Sequence, residues 1–181
     1  YFNSPSASMT FRLSKPWAAS VMLQTHGFNA GSVERRLSIL MQRQGRPIIG
    51  LENPQEQLGV FEKLPAAAQR QLLLATVDQI PEIPQQQKKL VDLYLAEDLE
   101  GLSREMRQEF TKLPHEIAQD LENRLLIQRN VHMIQRLKPE LEKSQVVFVA
   151  VGALHLVGEN GFLSSLQKMG YVPKRLDAWA Q

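Results

Sequence analysis

The residues best placed to do chemistry follow an apolar run near the C-terminus. Residues 146–151 read VVFVAV, and the run continues into Gly152-Ala153-Leu154-His155, with Gly158 and Glu159 a few residues later. Apolar β-branched residues favour a buried strand, and ligands of open α/β sheets bind beyond the carboxyl ends of strands. His155, Gly152, Gly158 and Glu159 are therefore candidate site residues.

The local chemistry of this turn allows two interpretations. Gly152 lets the backbone turn or lets a ligand approach closely. Glu159 or Asn160 can cap the next helix, whose N-terminus favours anions. The alternative is a strand-to-helix turn in which His155 makes only local hydrogen bonds.

Two polar residues interrupt the apolar stripe of the longest predicted helix. Arg129 lies four residues after Leu125, and Asn130 lies four after Leu126, so both occupy the apolar face. An unpaired buried guanidinium costs several kcal/mol, so both residues need a carboxylate, a backbone carbonyl or a ligand. An internal structural network is one alternative, and an Arg129 that extends to solvent is another.

Glu52 ends a short apolar segment that reads IIGLE. Its carboxylate could face His155 if the two predicted strands are neighbours. It could equally cap the following helix or pair with Arg129, and a structural role is favoured for Glu52 taken alone.

Composition bounds the function classes. The 181 residues carry a net charge of +2 and no cysteine. The absence of cysteine excludes disulfides and thiolate metal sites, and the even charge without a basic patch interleaved with aromatics argues against nucleic-acid binding. No run of about 18 apolar residues predicts a membrane span. His26, His115 and His132 form no close pair that resembles a metal motif, so they read as surface or core residues.

The predicted fold class is α/β, helix-rich with a small mixed or parallel sheet. Residues 1–14 read as a flexible lead-in or a cloning scar. A capping box at Asn53, Pro54 and Glu56 predicts one helix start. Helices are predicted at residues 16–26, 33–44, 54–64, 66–79, 85–110 with a break near Gly101, 114–137 and 161–169, and strands at 46–52, 145–151 and 171–176.

Taken together, these pieces resemble the TraB/GumN family, to which the Tiki metalloproteases are related. The matching stretches are KPWAASVMLQ, IIGLENPQEQLGVFEKLP, LLIQRNVHMI and VAVGALHLVGENGFLSSLQKMGYVPKRL. They occur in the family's order and cover most of residues 15–176.

The resemblance implies a divalent-metal peptidase site at one edge of a sheet. Two G-x-x-H motifs and a carboxylate are associated with this activity, and the second motif maps to Gly152 and His155. His155 would then be a metal ligand for Mn, Co or Zn. Arg129 and Asn130 would orient a carboxylate or stabilise negative charge, and Glu52 would be a supporting partner or a general base.

The chain departs from the family pattern near its N-terminus. The first G-x-x-H and the acidic strand after it are absent, and Glu34 stands near an expected aspartate. Residues 15–181 therefore look like the C-terminal portion of a single TraB/GumN-like domain with an incomplete site.

Three functions remain open on this basis. The leading expectation is a metal-dependent hydrolase of peptides, periplasmic or envelope-associated by resemblance, with a cytoplasmic location left open. One alternative is a non-catalytic module that binds a peptide or pheromone. The other is an interaction fragment that self-associates into a homo-oligomer.

Overall fold

The computed structural model describes residues 5–26, 32–143 and 146–176, and helices account for most of them. A π-helical turn spans Asn123–Ile127, and a 3₁₀ turn spans Ala153–His155. The α-helices are α1 Pro5–Leu13, α2 Pro16–Thr25, α3 Val33–Arg43, α4 Pro54–Glu62, α5 Ala66–Asp78, α6 Ile83–Leu95, α7 Leu99–Phe110, α8 His115–Glu122, α9 Gln128–Lys143 and α10 Phe162–Lys168.

The predicted α/β fold is wrong, because the described residues contain no strand and no sheet. Residues 46–50, 146–151 and 171–176 are non-helical, as expected, but they form no ladder with one another. Apolar β-branched composition favours burial of a segment, whereas a strand also needs a partner for its backbone.

Segment 146–151 keeps the side-chain alternation of a strand. Val147, Val149 and Val151 pack against the core, whereas Val146 is 89% exposed and Phe148 is 75% exposed. The segment was predicted as a buried strand, but only alternate side chains are packed against the core and the described residues contain no partner strand.

Local capping signals were predictive where they are strong. Asn53 Oδ1 accepts a hydrogen bond from the Glu56 amide at 2.8 Å, and Glu56 Oε2 accepts one from the Asn53 amide at 2.9 Å. This confirms the capping box that begins α4. Gly170 follows α10 with a φ of +91°, as expected of a glycine that ends a helix.

The predicted break near Gly101 lies a few residues earlier. The chain leaves α6 at Leu95 and begins α7 at Leu99, and Glu97 adopts a φ of +57° between them. Asp98 caps α7 by accepting from the Gly101 amide at 2.7 Å. Gly101 is thus a buried residue within α7. The start of α7 is fixed by the Asp98 cap, whereas the prediction took the glycine as the break.

Two apolar clusters lie in the core of the described part of the chain. Leu64, Ala68 and Leu121 form one. Met133, Leu137 and Phe162 form the other, against which segment 146–151 packs. The second cluster fixes α9 against the turn that carries His155. None of the described helices combines the length and hydropathy that a membrane span requires.

Candidate functional site

His155 and Asn130 form a buried hydrogen-bonded pair. His155 is 8% exposed and Asn130 is 3% exposed, and His155 Nδ1 lies 2.7 Å from Asn130 Oδ1. The 3₁₀ turn fixes the imidazole, because the His155 amide donates to the Gly152 carbonyl at 2.9 Å. Asn130 Nδ2 donates to the Asn160 carbonyl at 2.9 Å, which ties α9 to the turn before α10.

This network determines the tautomer of the imidazole. Because Asn130 Nδ2 donates to a carbonyl, its Oδ1 faces His155 as an acceptor. His155 Nδ1 must therefore carry the hydrogen, which leaves the lone pair on Nε2. Burial, as the larger cause, and the positive charge of Arg129, as the next, lower the pKa of His155 to about 4. The imidazole is consequently neutral at pH 7.

The second ring nitrogen of His155 is open. Nε2 makes no hydrogen bond to a described residue, and no fully buried side-chain nitrogen or oxygen in the described part lacks a partner. Nε2 therefore reaches solvent although the residue as a whole is buried. A neutral imidazole with one fixed nitrogen and one open nitrogen can accept a metal ion or a hydrogen bond.

Glu52 and Arg129 form a bidentate ion pair beside this imidazole. Arg129 Nε and Nη2 donate to the two Glu52 carboxylate oxygens at 2.8 and 2.7 Å, and the side chains are 16% and 15% exposed. The Arg129 hydrogen bonds hold the pKa of Glu52 below its usual 4.5. Of the partners considered for Glu52, its carboxylate binds Arg129. Glu52 does not cap the following helix, because the N-cap of α4 is Asn53.

A π-helical turn precedes these residues and sets their directions. In Asn123–Ile127 the backbone is wider than in an α-helix, and the Gln128 amide donates back to the Asn123 carbonyl. Arg129 and Asn130 follow at once, the first directed to Glu52 and the second to the turn with His155. Such turns occur frequently at functional sites, and no simple sequence signal predicts this one.

A small cavity lies beside Asn130. Its volume is about 140 Å³, and its lining includes Ser103, Arg107, Leu154 and Gly158. Arg107 Nη2 donates to Ser103 Oγ at 3.0 Å on α7. Drug-sized ligands occupy sites of about 300 to 1,000 Å³, so this cavity suits a single small side chain. The sequence interpretation did not include Ser103 or Arg107.

The residues predicted to hold a cofactor lie around the same turn. Gly152 precedes the 3₁₀ turn, and Gly158 has a φ of +85° that favours glycine. Glu159 is exposed at the cavity, and its carbonyl accepts from Lys168 Nζ at 3.2 Å. The predicted cap by Glu159 or Asn160 is wrong, because α10 follows Gly161 without a side-chain cap.

The described residues fit part of a metal site. His155 Nε2 has the protonation state that a ligand needs and makes no hydrogen bond to a described residue, while Glu52 is engaged by Arg129. Catalytic zinc sites usually have three protein ligands, and no group of three metal-binding side chains occurs among the described residues. These residues therefore supply one candidate ligand and do not complete a metal centre.

Comparison with known proteins agrees with the resemblance noted from the sequence. The model of the TraB/PrgY/gumN family matches residues 3–175 of this 181-residue chain. No curated protein and no solved structure matches the chain. Since the match spans nearly the whole sequence and includes Glu52, Arg129, Asn130 and His155, the chain belongs to the TraB/PrgY/gumN family.

Proposed function

We propose that this protein is part of a divalent-metal hydrolase of peptides, in which His155 Nε2 is a ligand for Mn, Co or Zn. The observation that supports this most directly is the His155–Asn130 pair, which leaves the Nε2 lone pair open. A ligating histidine typically donates its other ring N–H to a carbonyl or carboxylate. Asn130 Oδ1 is such an acceptor.

The lowered pKa of His155 favours ligation over general-base catalysis. A general base works best when its pKa lies near the operating pH, and a pKa of about 4 makes this imidazole a weak base at pH 7. Metal binding, by contrast, needs a deprotonated nitrogen. At neutral pH no proton competes for Nε2.

Asn130 and the Glu52–Arg129 pair act in this proposal as positioning residues. Asn130 fixes the tautomer and orientation of His155, and the ion pair fixes the end of the 46–52 segment against α9. Because both carboxylate oxygens of Glu52 accept from Arg129, Glu52 is a supporting partner here rather than a free base.

A second candidate is a module that binds a peptide or pheromone without cleaving it. The cavity of about 140 Å³ beside Asn130 has room for one side chain, although His155 is not among its lining residues. His155 Nε2 can separately accept a hydrogen bond from a peptide N–H. This function needs neither further metal ligands nor a free carboxylate.

Self-association is a third candidate, favoured by exposed apolar side chains outside the site. Val146, Phe148 and Val172 are all largely exposed, and large apolar patches often mark interaction sites. Sizing across a dilution series tests it: a mass that falls on dilution supports association, and a constant monomer mass contradicts it.

A periplasmic or envelope location is proposed from family resemblance alone.

The test of the leading proposal is turnover of a mixed peptide library by the full-length protein that contains these residues, read by mass spectrometry, with Mn, Co or Zn added. We expect metal-dependent cleavage that His155→Ala abolishes. His132→Ala is the matched control, because His132 is exposed on α9, and it should cleave as the unmodified chain does. Peptides that bind uncut in a His155-dependent way support the binding module. Cleavage that survives His155→Ala contradicts the proposal.

A further inference from the structure

Positive charge is concentrated on α3 and the segment that follows it. Residues 33–50 carry four arginines, Arg35, Arg36, Arg43 and Arg46, against Glu34 alone, a net charge of +3. The whole chain has a net charge of +2, so the remainder is slightly negative. The molecule is therefore electrostatically asymmetric.

None of these four arginines forms an ion pair within the described part of the chain. All four side chains are exposed. Elsewhere the arginines of α9 find carboxylates: Arg129 pairs with Glu52, and Arg136 with Glu56. The charges on α3 and residue 46 are thus available to an external anionic partner.

Apolar side chains flank two of these charges. At about 100° per residue around a helix, Ile39, Arg43, Arg36, Leu40 and Val33 follow one another along one side of α3. We call these five residues the basic apolar face. Its three apolar members are 42%, 46% and 60% exposed in that order, and α3 contains no buried residue. Ile48 and Ile49, also about half exposed, follow in the chain.

We propose that the basic apolar face binds an anionic lipid surface, with α3 lying in the plane of the headgroups. Helices of this kind present arginine to anionic lipids and bury their apolar side chains at the headgroup boundary. Each basic residue near such a surface strengthens binding by about fivefold. Arg36 and Arg43, flanked by Ile39 on one side and by Leu40 and Val33 on the other, match both requirements.

Two other occupants fit the face less well. Nucleic acid would satisfy the arginines through phosphates but would leave Ile39, Leu40 and Val33 without apolar contacts. A second copy in a two-fold symmetric dimer would set like charges against each other, because this side of α3 has Arg36 and Arg43 and no carboxylate.

The test is co-sedimentation of the chain with vesicles. One preparation contains phosphatidylcholine alone, and the other contains phosphatidylglycerol as well. We expect binding to the second only. Arg36→Glu with Arg43→Glu should lower the partition coefficient at least about 25-fold, from two contributions of about fivefold each. Arg12→Glu with Arg70→Glu makes the same change of net charge at exposed arginines outside the face and should have a much smaller effect.

A second variant tests burial of the apolar members. Ile39→Ser with Leu40→Ser should lower binding severalfold and leave the helical circular dichroism unchanged, because both side chains are exposed. The proposal is overturned by equal binding to the neutral vesicles, by an equal loss in the control variant, or by full binding after both serine substitutions. It is also overturned if duplex DNA competes the chain off the vesicles or if the face forms a dimer instead.

Discussion

The Glu52–Arg129 pair allows a quantitative test, in which Arg129→Met removes the guanidinium and keeps most of the aliphatic stem. The change deletes hydrogen bonds of 2.8 and 2.7 Å to Glu52 and a third of 3.1 Å to the Leu125 carbonyl. Glu52, only 15% exposed at its side chain, is then left without a countercharge. The variant should therefore unfold more easily.

The size of the loss follows from burial. A hydrogen bond to a charged group contributes about 1.5 to 3 kcal/mol, and removal of one member of a fully buried ion pair costs about 3 to 5 kcal/mol. Since solvent still reaches both side chains, we expect Arg129→Met to lower the free energy of unfolding by about 2 to 4 kcal/mol. Arg129→Met with Glu52→Gln should lose less, because no unpaired charge remains.

The loss should depend on pH with a definite sign. Arg129 holds the pKa of Glu52 below 4.5 in the folded chain. The ion pair therefore stabilises the fold at pH values above the pKa of Glu52 in the unfolded chain, and this stabilisation is lost as pH falls through the pKa of Glu52 in the folded chain. The difference between the unmodified chain and Arg129→Met should be full at pH 7. It should shrink below a pH of about 4.5.

The assay is urea unfolding followed by circular dichroism, with Arg136→Met as the control. Arg136, on the same helix as Arg129, also pairs with a carboxylate, but both its side chain and that of Glu56 are about 40% exposed, so the loss in Arg136→Met should be smaller. A loss below about 1 kcal/mol for Arg129→Met, the range of exposed pairs, would refute the reasoning. An equal loss in the control would do the same.

Four further predictions concern His155, Asn130 and Gly101. The His155 ring should show the Nδ1–H tautomer by ¹⁵N NMR and stay neutral down to a pH of about 4; protonation near 6.5 would contradict the burial argument. Because this folded pKa lies below the unfolded 6.5, acid unfolding should show stability lost as pH falls from 6.5 to about 4, and His155→Phe should remove that dependence. Asn130→Leu should cost about 1 to 3 kcal/mol in urea unfolding, since the Asn160 carbonyl and the His155 Nδ1–H lose their partners. Gly101→Ala should cost about 1 to 3 kcal/mol, because its Cβ would lie 2.3 Å from Asp98 Oδ2; an unchanged urea midpoint would contradict this.

The contacts between the site residues were easier to predict from the sequence than the architecture around them. Arg129 and Asn130 on an apolar helix face required partners, and the structure supplies Glu52 and His155. This inference was possible because the cost of burying an unpaired polar group does not depend on the fold. The functional roles of these residues stay predictions.

The absence of a sheet from the described residues was not predictable by the same route. Segment 146–151 has the composition and side-chain alternation of a strand, but strand pairing depends on a second segment distant in sequence. The π-turn at Asn123–Ile127 and the cavity residues Ser103 and Arg107 also arise from packing between helices. Periodicity of about 3.6 residues cannot distinguish a single wider turn from a regular helix.

The most direct test of the central claim is Mn²⁺ titration of the chain, followed by NMR of its four histidine rings. If His155 Nε2 is a metal ligand, the His155 ring signals broaden first, and His155→Ala weakens Mn²⁺ binding while His132→Ala leaves it unchanged. The account is contradicted if the His155 signals stay sharp as Mn²⁺ binds elsewhere, or if His155→Ala binds Mn²⁺ as well as the unmodified chain.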